Sequence, residues 1–475
     1  MASLDGHGLA GHPSMPSRSG ESTLRRLRAA AWCVVLITIV ITQALHHRAE
    51  WARPQGWEPL QIAQGLAGGH GFAWHSHDRW LFDDDPRSGF FPTAWTEPVY
   101  PLLLGLALSA FGDDEGRRVA VGFQAVCLAL TAILTFFVGR RAFGGLSGMV
   151  ASLSLLLVPE VSDLPYGQLQ TAATAGLAVV AALWAFLWTS EAPSGRRALM
   201  LGAVLGASVL TSAPTLAFVP LALGGLLVAN WHDRGRALRL IGACALGLVA
   251  VGGPWSIRNY LVFRAFVPSR NGLGQIAFSG NPVLAERFVP GYRACGVPGA
   301  PSWTARGALA TVRHTQVNRE DRNALDIRGF ECVSGEPPPG YAAMNEPQRD
   351  REYFRRALNF VRSHPGVAAK LALAKAATFF LLGWSGYLRV LTVLAAVGAA
   401  QLIRRRAGLA VALAIAGFSS AYVIGMPYFY RYRYPVEPLI ALLASYPIAQ
   451  LLALPGRFGR WGQRASDGHT APHPG

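Results

Sequence analysis

Two glutamates stand directly before prolines at the start of apolar stretches. Glu58 precedes Pro59 in GWEPLQIAQGLAGGHGF (56–72), and Glu97 precedes Pro98 in FPTAWTEPVYPLLLGLALSAFG (91–112). A carboxylate can take a proton from an attacking hydroxyl as a general base. In the first turn of a helix it can also interact with the helix dipole and have no chemical role. The residue types allow both roles, so the surrounding segments must decide between them.

Two arginines near the C-terminal end alternate with tyrosines in YRYRYP (430–435). In extended backbone, Arg431 and Arg433 would share one face. A guanidinium group binds phosphate through paired hydrogen bonds, whereas arginine and tyrosine together can also anchor a chain at a membrane surface. The sequence favours phosphate binding, because this segment is predicted to lie outside the cytoplasm, where the positive-inside rule gives no reason for arginines.

The composition predicts a membrane protein. The 475 residues are 51% hydrophobic and 15% charged, with a mean hydropathy of +0.28, whereas a soluble domain carries about 25% charged residues. Apolar stretches such as 29–45 and 119–139 approach or reach the roughly 20 residues that a membrane-spanning helix needs. The net charge of +16 does not indicate a nucleic-acid partner, because the arginines form short clusters between the apolar stretches, as in cytoplasmic loops.

The arginine clusters predict the topology. After residues 25–28, they lie at 140–141, 196–197, 234–239, 404–406 and 457–464. With the N-terminus in the cytoplasm, all of them reach the cytoplasmic side only if 98–112 and 367–384 stay at the outer membrane surface as juxtamembrane helices. The prediction is an all-α membrane protein of about ten transmembrane helices. Both termini are cytoplasmic in this prediction, and external juxtamembrane helices accompany an external region of mixed loops.

This topology divides the chain into predicted regions. They are a disordered cytoplasmic N-terminus (1–24), an N-terminal transmembrane core (25–253) with a first external loop (51–118), a large external region (254–366), C-terminal transmembrane helices (367–454) and a disordered cytoplasmic tail (455–475).

The order of several motifs resembles a known enzyme group. After the two Glu-Pro segments come GRRAFGG (139–145), PWSIRNYLVFRAFVPSRNGLG (254–274), NEPQRDREYFRRALNFVRSHP (345–365) and YRYRYPVEPL (430–439). From about residue 26 to 454, this order resembles the bacterial polyprenyl-phosphate-dependent glycosyltransferases of the GT-C type. That group includes protein O-mannosyltransferase-like enzymes and the lipid A aminoarabinose transferase.

The resemblance implies a function and a place for it. A sugar linked to a polyprenyl phosphate would be transferred to an acceptor hydroxyl of the cell envelope, on the outer face of the plasma membrane. Glu58 and Glu97 would then be the catalytic carboxylates. Arg431 and Arg433 would hold the lipid phosphate, and we expect the bilayer itself to be a partner.

Other candidates from the external segments are secondary. Arg258 and Asn259 follow Pro254 and Trp255 and are further candidates for donor binding. Aromatic residues provide candidates for a sugar or acceptor platform, although anchoring at the membrane surface is the alternative for each. These aromatic candidates are Trp95, Tyr100 and Trp255.

The sequence leaves the need for a metal open. The run Asp83–Asp85 could bind a divalent cation or be a solvated loop. Many relatives carry a carboxylate near the position of Gln170, and Glu160 and Asp163 are the acidic residues that could replace it. The turn LTSAP (210–214) also lacks an arginine that many relatives have. These departures from the family pattern leave altered or lost activity as an alternative.

Two further questions stay open at this level. Cys295 and Cys332 both fall in the large external region, where an oxidising compartment would permit a disulfide, and two free thiols are the alternative. A lipid or glycan transporter or flippase, and a non-catalytic descendant of the enzyme fold, are the alternative functions. The enzyme is favoured over a transporter because the apolar stretches contain few charged residues and no internal repeat is evident.

The predicted topology can be tested with fusions of alkaline phosphatase, which is active only outside the cytoplasm. We expect the fusion near residue 310 to be active and the fusion at residue 143 to be silent, because the arginine clusters put these positions on opposite sides of the membrane. Enzyme activity in intact cells is the measurement. The reverse result at either position would contradict the topology.

Overall fold

A computed structural model describes residues 18–52, 54–56, 58–75, 89–278, 280–281, 344–382, 385–424 and 430–453. Several predictions concern residues outside these ranges. They are the acidic run Asp83–Asp85, the pair Cys295 and Cys332, the first 17 residues of the N-terminal region and the tail 455–475. Arg431 is described only in its backbone.

The described chain is mainly helical. Its first helices are α1 (Arg18–His46), α2 (Arg48–Trp51), α3 (Glu58–Ala67), α4 (Val99–Phe111), α5 (Asp113–Phe143), α6 (Gly145–Leu157), α7 (Pro159–Gly167), α8 (Ala172–Glu191), α9 (Gly195–Thr211), α10 (Phe218–Ala229) and α11 (Arg234–Phe263). The later ones are α12 (Leu273–Phe278), α13 (Glu346–Ser363), α14 (Pro365–Ala377), α15 (Gly386–Leu402), α16 (Arg406–Ile424), α17 (Tyr430–Arg433) and α18 (Glu437–Leu452). Short 3₁₀ turns (Ala213–Ala217 and Tyr434–Val436) precede α10 and α18, and a π-helical turn (Thr378–Leu382) follows α14.

Six helices among the described residues are long and apolar enough to cross a membrane. They are Arg26–His46, Asp113–Phe143, Ala172–Glu191, Arg234–Phe263, Arg406–Val423 and Tyr434–Leu452. Two bent pairs, α6 with α7 at 55° and Pro365–Leu381 with α15 at 108°, bring the number to eight if each pair is one span. The prediction of a helical, multi-pass membrane protein is therefore confirmed, while the count of about ten stays a prediction. Helix α4 has 13 residues, which is too short for a span and suits the predicted juxtamembrane position.

Helix α11 extends beyond the predicted end of its membrane segment. Pro254 was expected to open the external region, but it lies inside α11, which continues to Phe263. Gly253 carries no Cβ, so the clash that normally keeps the residue before a proline out of the helical region is reduced. The helix ends at Arg264, which has a left-handed φ of 53°. Arg258 and its neighbours are therefore on a helix and not in a loop.

Short strand pairs connect the segments that lie between the long helices. Strand β1 (Gln55–Gly56) pairs in parallel with β4 (Gln168–Leu169), and β2 (Ala73–His75) pairs antiparallel with β3 (Phe90–Pro92). The first pair joins the start of α3 to the end of α7. The second pair brings the residues after α3 to the segment that leads into α4.

Helix α18 lies in the core of the helix bundle. It packs against α5, α6, α15 and α16, and most of its residues are buried. A helix that is apolar on all sides is typical of such a position. The segment before α18, which holds the YRYRYP motif, is therefore fixed against the core.

Helices α9 and α11 approach each other closely along a seam of glycines. A Cβ built on Gly202 would lie 1.8 Å from the carbonyl oxygen of Cys244, and one on Gly247 would lie 2.1 Å from that of Leu199. Small residues allow such close backbone contact in membrane helices. This contact fixes α11 against the segment that contains Ala213.

We expect Gly247→Ala to destabilise the protein by about 1–3 kcal/mol, because the added methyl group meets backbone atoms that cannot move aside cheaply. Gly242→Ala in the same helix is the matched control, since a Cβ there meets nothing within 4 Å. It should be neutral or stabilising by up to about 1 kcal/mol, through the better helix propensity of alanine. Thermal unfolding of the purified proteins in one detergent measures both effects. Equal stability of the two variants would contradict the close packing.

Candidate active site

Glu97 is buried at the start of α4, with 5% of its surface exposed. Its Oε1 accepts a hydrogen bond of 3.0 Å from the backbone N–H of Ala213. Its Oε2 lies 3.6 Å from Nη1 of Arg270. Helix α4 receives no side-chain cap from its N-cap residue, Pro98. The carboxylate thus reaches across to the break between α9 and α10 and to an arginine that is distant in sequence.

Arg270 is the residue that the sequence analysis did not single out. It lies between α11 and α12, where its Nε donates a hydrogen bond of 2.9 Å to the carbonyl oxygen of Asn271. Its guanidinium carbon lies 5.7 Å from the ring centroid of Trp95, within the range of a cation–π contact. The available signal was its place in the motif PWSIRNYLVFRAFVPSRNGLG, which carries four other arginine or asparagine side chains as competitors.

Aromatic side chains from the C-terminal helices form one wall beside Glu97. The hydroxyl of Tyr422 in α16 hydrogen-bonds to Ser212 and lies within electrostatic range of Glu97 and Arg270. The ring of Tyr432 stacks on that of Tyr422, with 5.2 Å between centroids. Glu97, Arg270 and these two tyrosines therefore belong to one constellation, which we call the Glu97 site.

Glu346, at the start of α13, joins the segment that carries Glu97 to the segment that carries Arg270. It accepts hydrogen bonds from Thr93 Oγ1 (2.7 Å), from the backbone N–H of Ala94 (2.9 Å) and from Asn271 Nδ2 (2.8 Å). Thr93 and Ala94 lead into Glu97, and Asn271 follows Arg270. Burial raises the pKa of the Glu346 carboxyl above its usual 4.5, although the three hydrogen bonds oppose this shift.

Asp350, one turn further along α13, supports the same region. Its Oδ1 accepts a hydrogen bond of 3.1 Å from the backbone N–H of Gln275 in α12. Burial also raises the pKa of this carboxyl, and the nearby charge of Arg270 partly offsets the shift. Helix α13 thus holds α12 and the Arg270 segment in place with two carboxylates.

The predicted donor-binding residues Arg258 and Asn259 donate hydrogen bonds to backbone carbonyl groups of other segments. Arg258 donates to the carbonyl oxygens of Thr93 (2.7 Å) and Phe72 (2.9 Å), and to Asn259 Oδ1 (2.9 Å). Asn259 is fully buried and donates to the carbonyl oxygen of Val267 at 3.0 Å. Because both side chains are engaged with the protein itself, this geometry does not support a role in binding phosphate.

Arg433 also differs from its predicted role. Residues 430–433 form helix α17, so two residues two positions apart do not share a face as they would in a strand. The Arg433 side chain is completely buried and forms an ion pair with Glu437. It is therefore withdrawn from any surface that a lipid phosphate could reach. For Arg431, which is described only in its backbone, phosphate binding stays a prediction.

Glu58 is the first residue of α3 and is partly buried, and its catalytic role stays a prediction. Helix α3 packs against α4, and its residue Ile62 is in a buried cluster with Trp95. Among the described residues, no hydrogen bond or ion pair joins Glu58 to the Glu97 site. The second carboxylate is thus near the helix that carries Glu97, without direct contact.

The three aromatic candidates have different surroundings. Trp95 is mostly buried but lies against Arg270 in the Glu97 site. Trp255 is partly buried, and its indole N–H donates to the carbonyl oxygen of Ser269. Tyr100 is 1% exposed and belongs to the main core. The core position of Tyr100 does not support a contact with sugar or acceptor, whereas Trp95 remains well placed for one.

Asp163 and Gln170, in the segment 159–170, make polar contacts of their own. Asp163 Oδ1 lies 3.2 Å from His47 Nε2, and Gln170 donates a hydrogen bond of 2.7 Å to Gln168 Oε1. Glu160 is partly buried in α7. Within the described ranges, no group of three or more histidine, cysteine, aspartate or glutamate side chains could hold a metal ion.

The hydrogen bonds of Glu346 predict a graded response to substitution. Glu346→Ala should lower the free energy of unfolding by about 2–4 kcal/mol, because it leaves buried donors without acceptors. Glu346→Gln keeps an acceptor oxygen and should cost much less. Because the folded-state pKa of Glu346 is raised, its contribution to stability is present at low pH and is lost as the pH rises through that pKa. Thermal unfolding between pH 4 and 8 should therefore show a weaker pH dependence for Glu346→Gln. An equal pH dependence in both proteins would contradict the assignment.

Comparison with known proteins gives one match by sequence and several by structure. A family model described as dolichyl-phosphate-mannose-protein mannosyltransferase matches residues 93–255. This range begins at Thr93, includes Glu97 and Ala213, and ends at Trp255. No curated protein matches the sequence of this chain.

Among solved structures, the archaeal oligosaccharyltransferase AglB from Archaeoglobus fulgidus, in complex with an inhibitory peptide and a dolichol-phosphate, overlaps with a TM-score of 0.52 at 13% identity. The match covers 95% of this chain and 53% of AglB, so this chain spans about half the length of that protein. The apo form of the A. fulgidus oligosaccharyltransferase gives 0.51 at 15% identity, over 91% of this chain and 52% of the other.

ArnT from Cupriavidus metallidurans, bound to undecaprenyl phosphate, covers 91% of this chain and 79% of its own at 16% identity. Its TM-score of 0.35 is too low to indicate a shared fold by itself. The family model and the AglB fold together confirm the similarity to GT-C type glycosyltransferases that the order of the motifs predicted.

Proposed function

We propose that this chain is a membrane glycosyltransferase that moves a sugar from a polyprenyl-phosphate donor to an acceptor hydroxyl of the cell envelope. The observation that carries the proposal is the buried contact of Glu97 with Arg270, 3.6 Å apart, beside Trp95 and Tyr422. A carboxylate and a guanidinium group are the two groups that such a transfer needs.

In the proposed reaction, Glu97 accepts the proton of the acceptor hydroxyl while the hydroxyl oxygen bonds to the anomeric carbon of the sugar. The bond between that carbon and the lipid phosphate oxygen breaks, and the phosphate leaves with the bonding electrons. Arg270 faces the negative charge that develops on the phosphate, for which its planar donors are suited. The phosphate would replace Glu97 as the partner of Arg270, which frees the carboxylate to act as the base.

The class of donor is supported by the comparisons. The matching family model is named for enzymes that use dolichyl-phosphate mannose, and the AglB structure contains a dolichol-phosphate. A donor with a lipid tail requires a site at the membrane surface. We place the Glu97 site on the outer face of the plasma membrane, with both termini cytoplasmic, because the arginine clusters favour that topology.

The remaining sequence candidates keep secondary roles in this proposal. Glu58 is the alternative general base, since α3 packs against α4. Arg431 is a second candidate for binding the phosphate from α17. Trp95 would contact the sugar or the acceptor beside Arg270. The proposal specifies the acceptor only as a molecule of the cell envelope that carries a hydroxyl group.

The proposal predicts the effect of removing the base. Glu97→Gln keeps the shape of the side chain but removes a basic oxygen, so kcat should fall by about 10²–10⁴-fold. The assay is transfer of radiolabelled mannose from polyprenyl-phosphate mannose to endogenous acceptors in membranes. Glu115→Gln, at an exposed carboxylate in the first turn of α5, is the matched control and should keep normal activity.

Arg270→Met provides the second arm of the same experiment. Loss of a charge-assisted hydrogen bond to the phosphate should raise the donor KM by about 10- to 100-fold. Arg362→Met, at an exposed arginine in the last turn of α13, should leave the donor KM unchanged. Protein abundance and thermal stability are measured in parallel. Normal kcat of Glu97→Gln at normal abundance would exclude Glu97 as the base and leave Glu58 as the candidate.

A further inference from the structure

Arg433 is bound on all sides by the protein. Its Nε pairs with Glu437, the first residue of α18. Its Nη1 donates to the carbonyl oxygens of Phe379 and Phe380, both at 2.9 Å. Its Nη2 donates to the carbonyl oxygen of Leu388 (3.2 Å) and to Thr392 Oγ1 (2.8 Å). A guanidinium group has five N–H donors, and five acceptors surround this one.

Four of these five acceptors lie on the two arms of a bent helix pair. Phe379 and Phe380 are in the π-helical turn after α14, and Leu388 and Thr392 are in the first turns of α15. The two arms meet at 108°. One side chain thus donates to carbonyl oxygens on both arms of the bend and connects them to α18.

The same bend carries part of the wall of the Glu97 site. The ring of Phe379 stacks on Tyr422 at 6.2 Å and 12°. Tyr432, the neighbour of Arg433 in the chain, stacks on Tyr422 at 5.2 Å and 23°. Tyr422 in turn hydrogen-bonds to Ser212, beside the Ala213 N–H that binds Glu97. Arg433 is thus bonded to the backbone of Phe379 and next to Tyr432 in the chain, and both of these residues stack on Tyr422.

We propose that Arg433 is a positioning residue, which acts by holding the α14–α15 bend so that Phe379 and Tyr432 keep Tyr422 against the Glu97 site. This inference rests on the proposed function of that site. It assigns Arg433 to the geometry of the transfer step and not to the binding of the donor phosphate. Glu437 serves the same role by neutralising the buried guanidinium.

Two variants test the proposal. Removing Arg433 alone would leave Glu437 as a buried, unpaired charge, so Arg433→Met is combined with Glu437→Leu to remove both charges with little change of volume. Arg433→Lys keeps a positive charge for Glu437 but lacks the planar fork that reaches both arms of the bend. The exposed Arg362→Met is the control. All proteins are studied as full chains in lipid nanodiscs.

Kinetics separate positioning from phosphate binding. We expect kcat to fall by about 10- to 100-fold in the double variant, as displaced catalytic geometry typically does, and by less in Arg433→Lys. The KM for polyprenyl-phosphate mannose should stay within about twofold, because no donor contact is lost. A large rise in KM with normal kcat would overturn the proposal in favour of phosphate binding.

A second comparison tests whether Arg433 affects kcat through the position of Tyr422. Tyr422→Phe should lower kcat in the wild-type background but have little further effect in the double variant, because the ring is already displaced there. Coupled residues show such non-additivity. Full additivity of the two effects would overturn the proposed route, since a general loss of stability would not depend on Tyr422.

Hydrogen–deuterium exchange measures the hold on the bend without any substrate. Amides of residues 378–392 should exchange faster in the double variant than in the wild type, while α9 stays unchanged. If the wild-type chain transfers no sugar from the donor, the proposed function fails, and the exchange result still decides whether Arg433 holds the bend. Unchanged exchange in 378–392 would overturn the inference in either case.

Discussion

Breaks in helices within apolar surroundings release backbone groups that need partners, and this chain supplies the partners with charged side chains. Glu97 binds the free N–H of Ala213 at the break between α9 and α10. Arg433 binds carbonyl groups at the break between α14 and α15. Glu97 is itself part of the Glu97 site, and Arg433 is connected to that site through Phe379 and Tyr432. The arrangement of the candidate site therefore follows from the hydrogen bonds that charged side chains make to backbone groups at the helix breaks.

The ion pair of Glu97 and the hydrogen bonds of Glu346 connect distant parts of the sequence. Glu97 meets Arg270, and both are linked through Thr93 and Asn271 to Glu346. A buried charge without a partner is costly, so these contacts fix the relative positions of the segments that carry them. The loop after α11 and the start of α13 are thereby held over the N-terminal end of α4.

Much of the architecture could be predicted from the sequence, because apolar stretches and arginine clusters are each contained in a short continuous segment. The stretch 119–139 predicted α5, and 98–112 predicted the short helix α4. Glu97 could be singled out because proline and an apolar run follow it directly. Pro254 was misleading, since a proline usually ends a helix and the effect of Gly253 before it is easily overlooked.

Long-range partners could not be predicted. Arg270 and Glu97 are distant in the sequence and come together through tertiary packing and the hydrogen bonds of Glu346, and nothing near Arg270 in the sequence indicates the contact. For Arg433, the alternation of tyrosine and arginine predicted a face shared with Arg431 in extended backbone, and a role in binding phosphate. The segment is helical, and its arginine points into the core, where it donates to carbonyl oxygens on both arms of the bent helix pair.

The origin of the Glu97 site in widely separated stretches of sequence has a consequence for biosynthesis. Its parts come from residues 93–97, from 212–213, from 270–271, from Glu346, and from Tyr422 with Tyr432. A chain inserted into the membrane from its N-terminus exposes the first of these long before the last has been synthesised. Glu97 lacks Arg270 as a neighbour until that residue has been added, and it lacks the tyrosine wall for longer. A shortened product that stops before α16 would therefore carry Glu97 and Arg270 without Tyr422 and Tyr432.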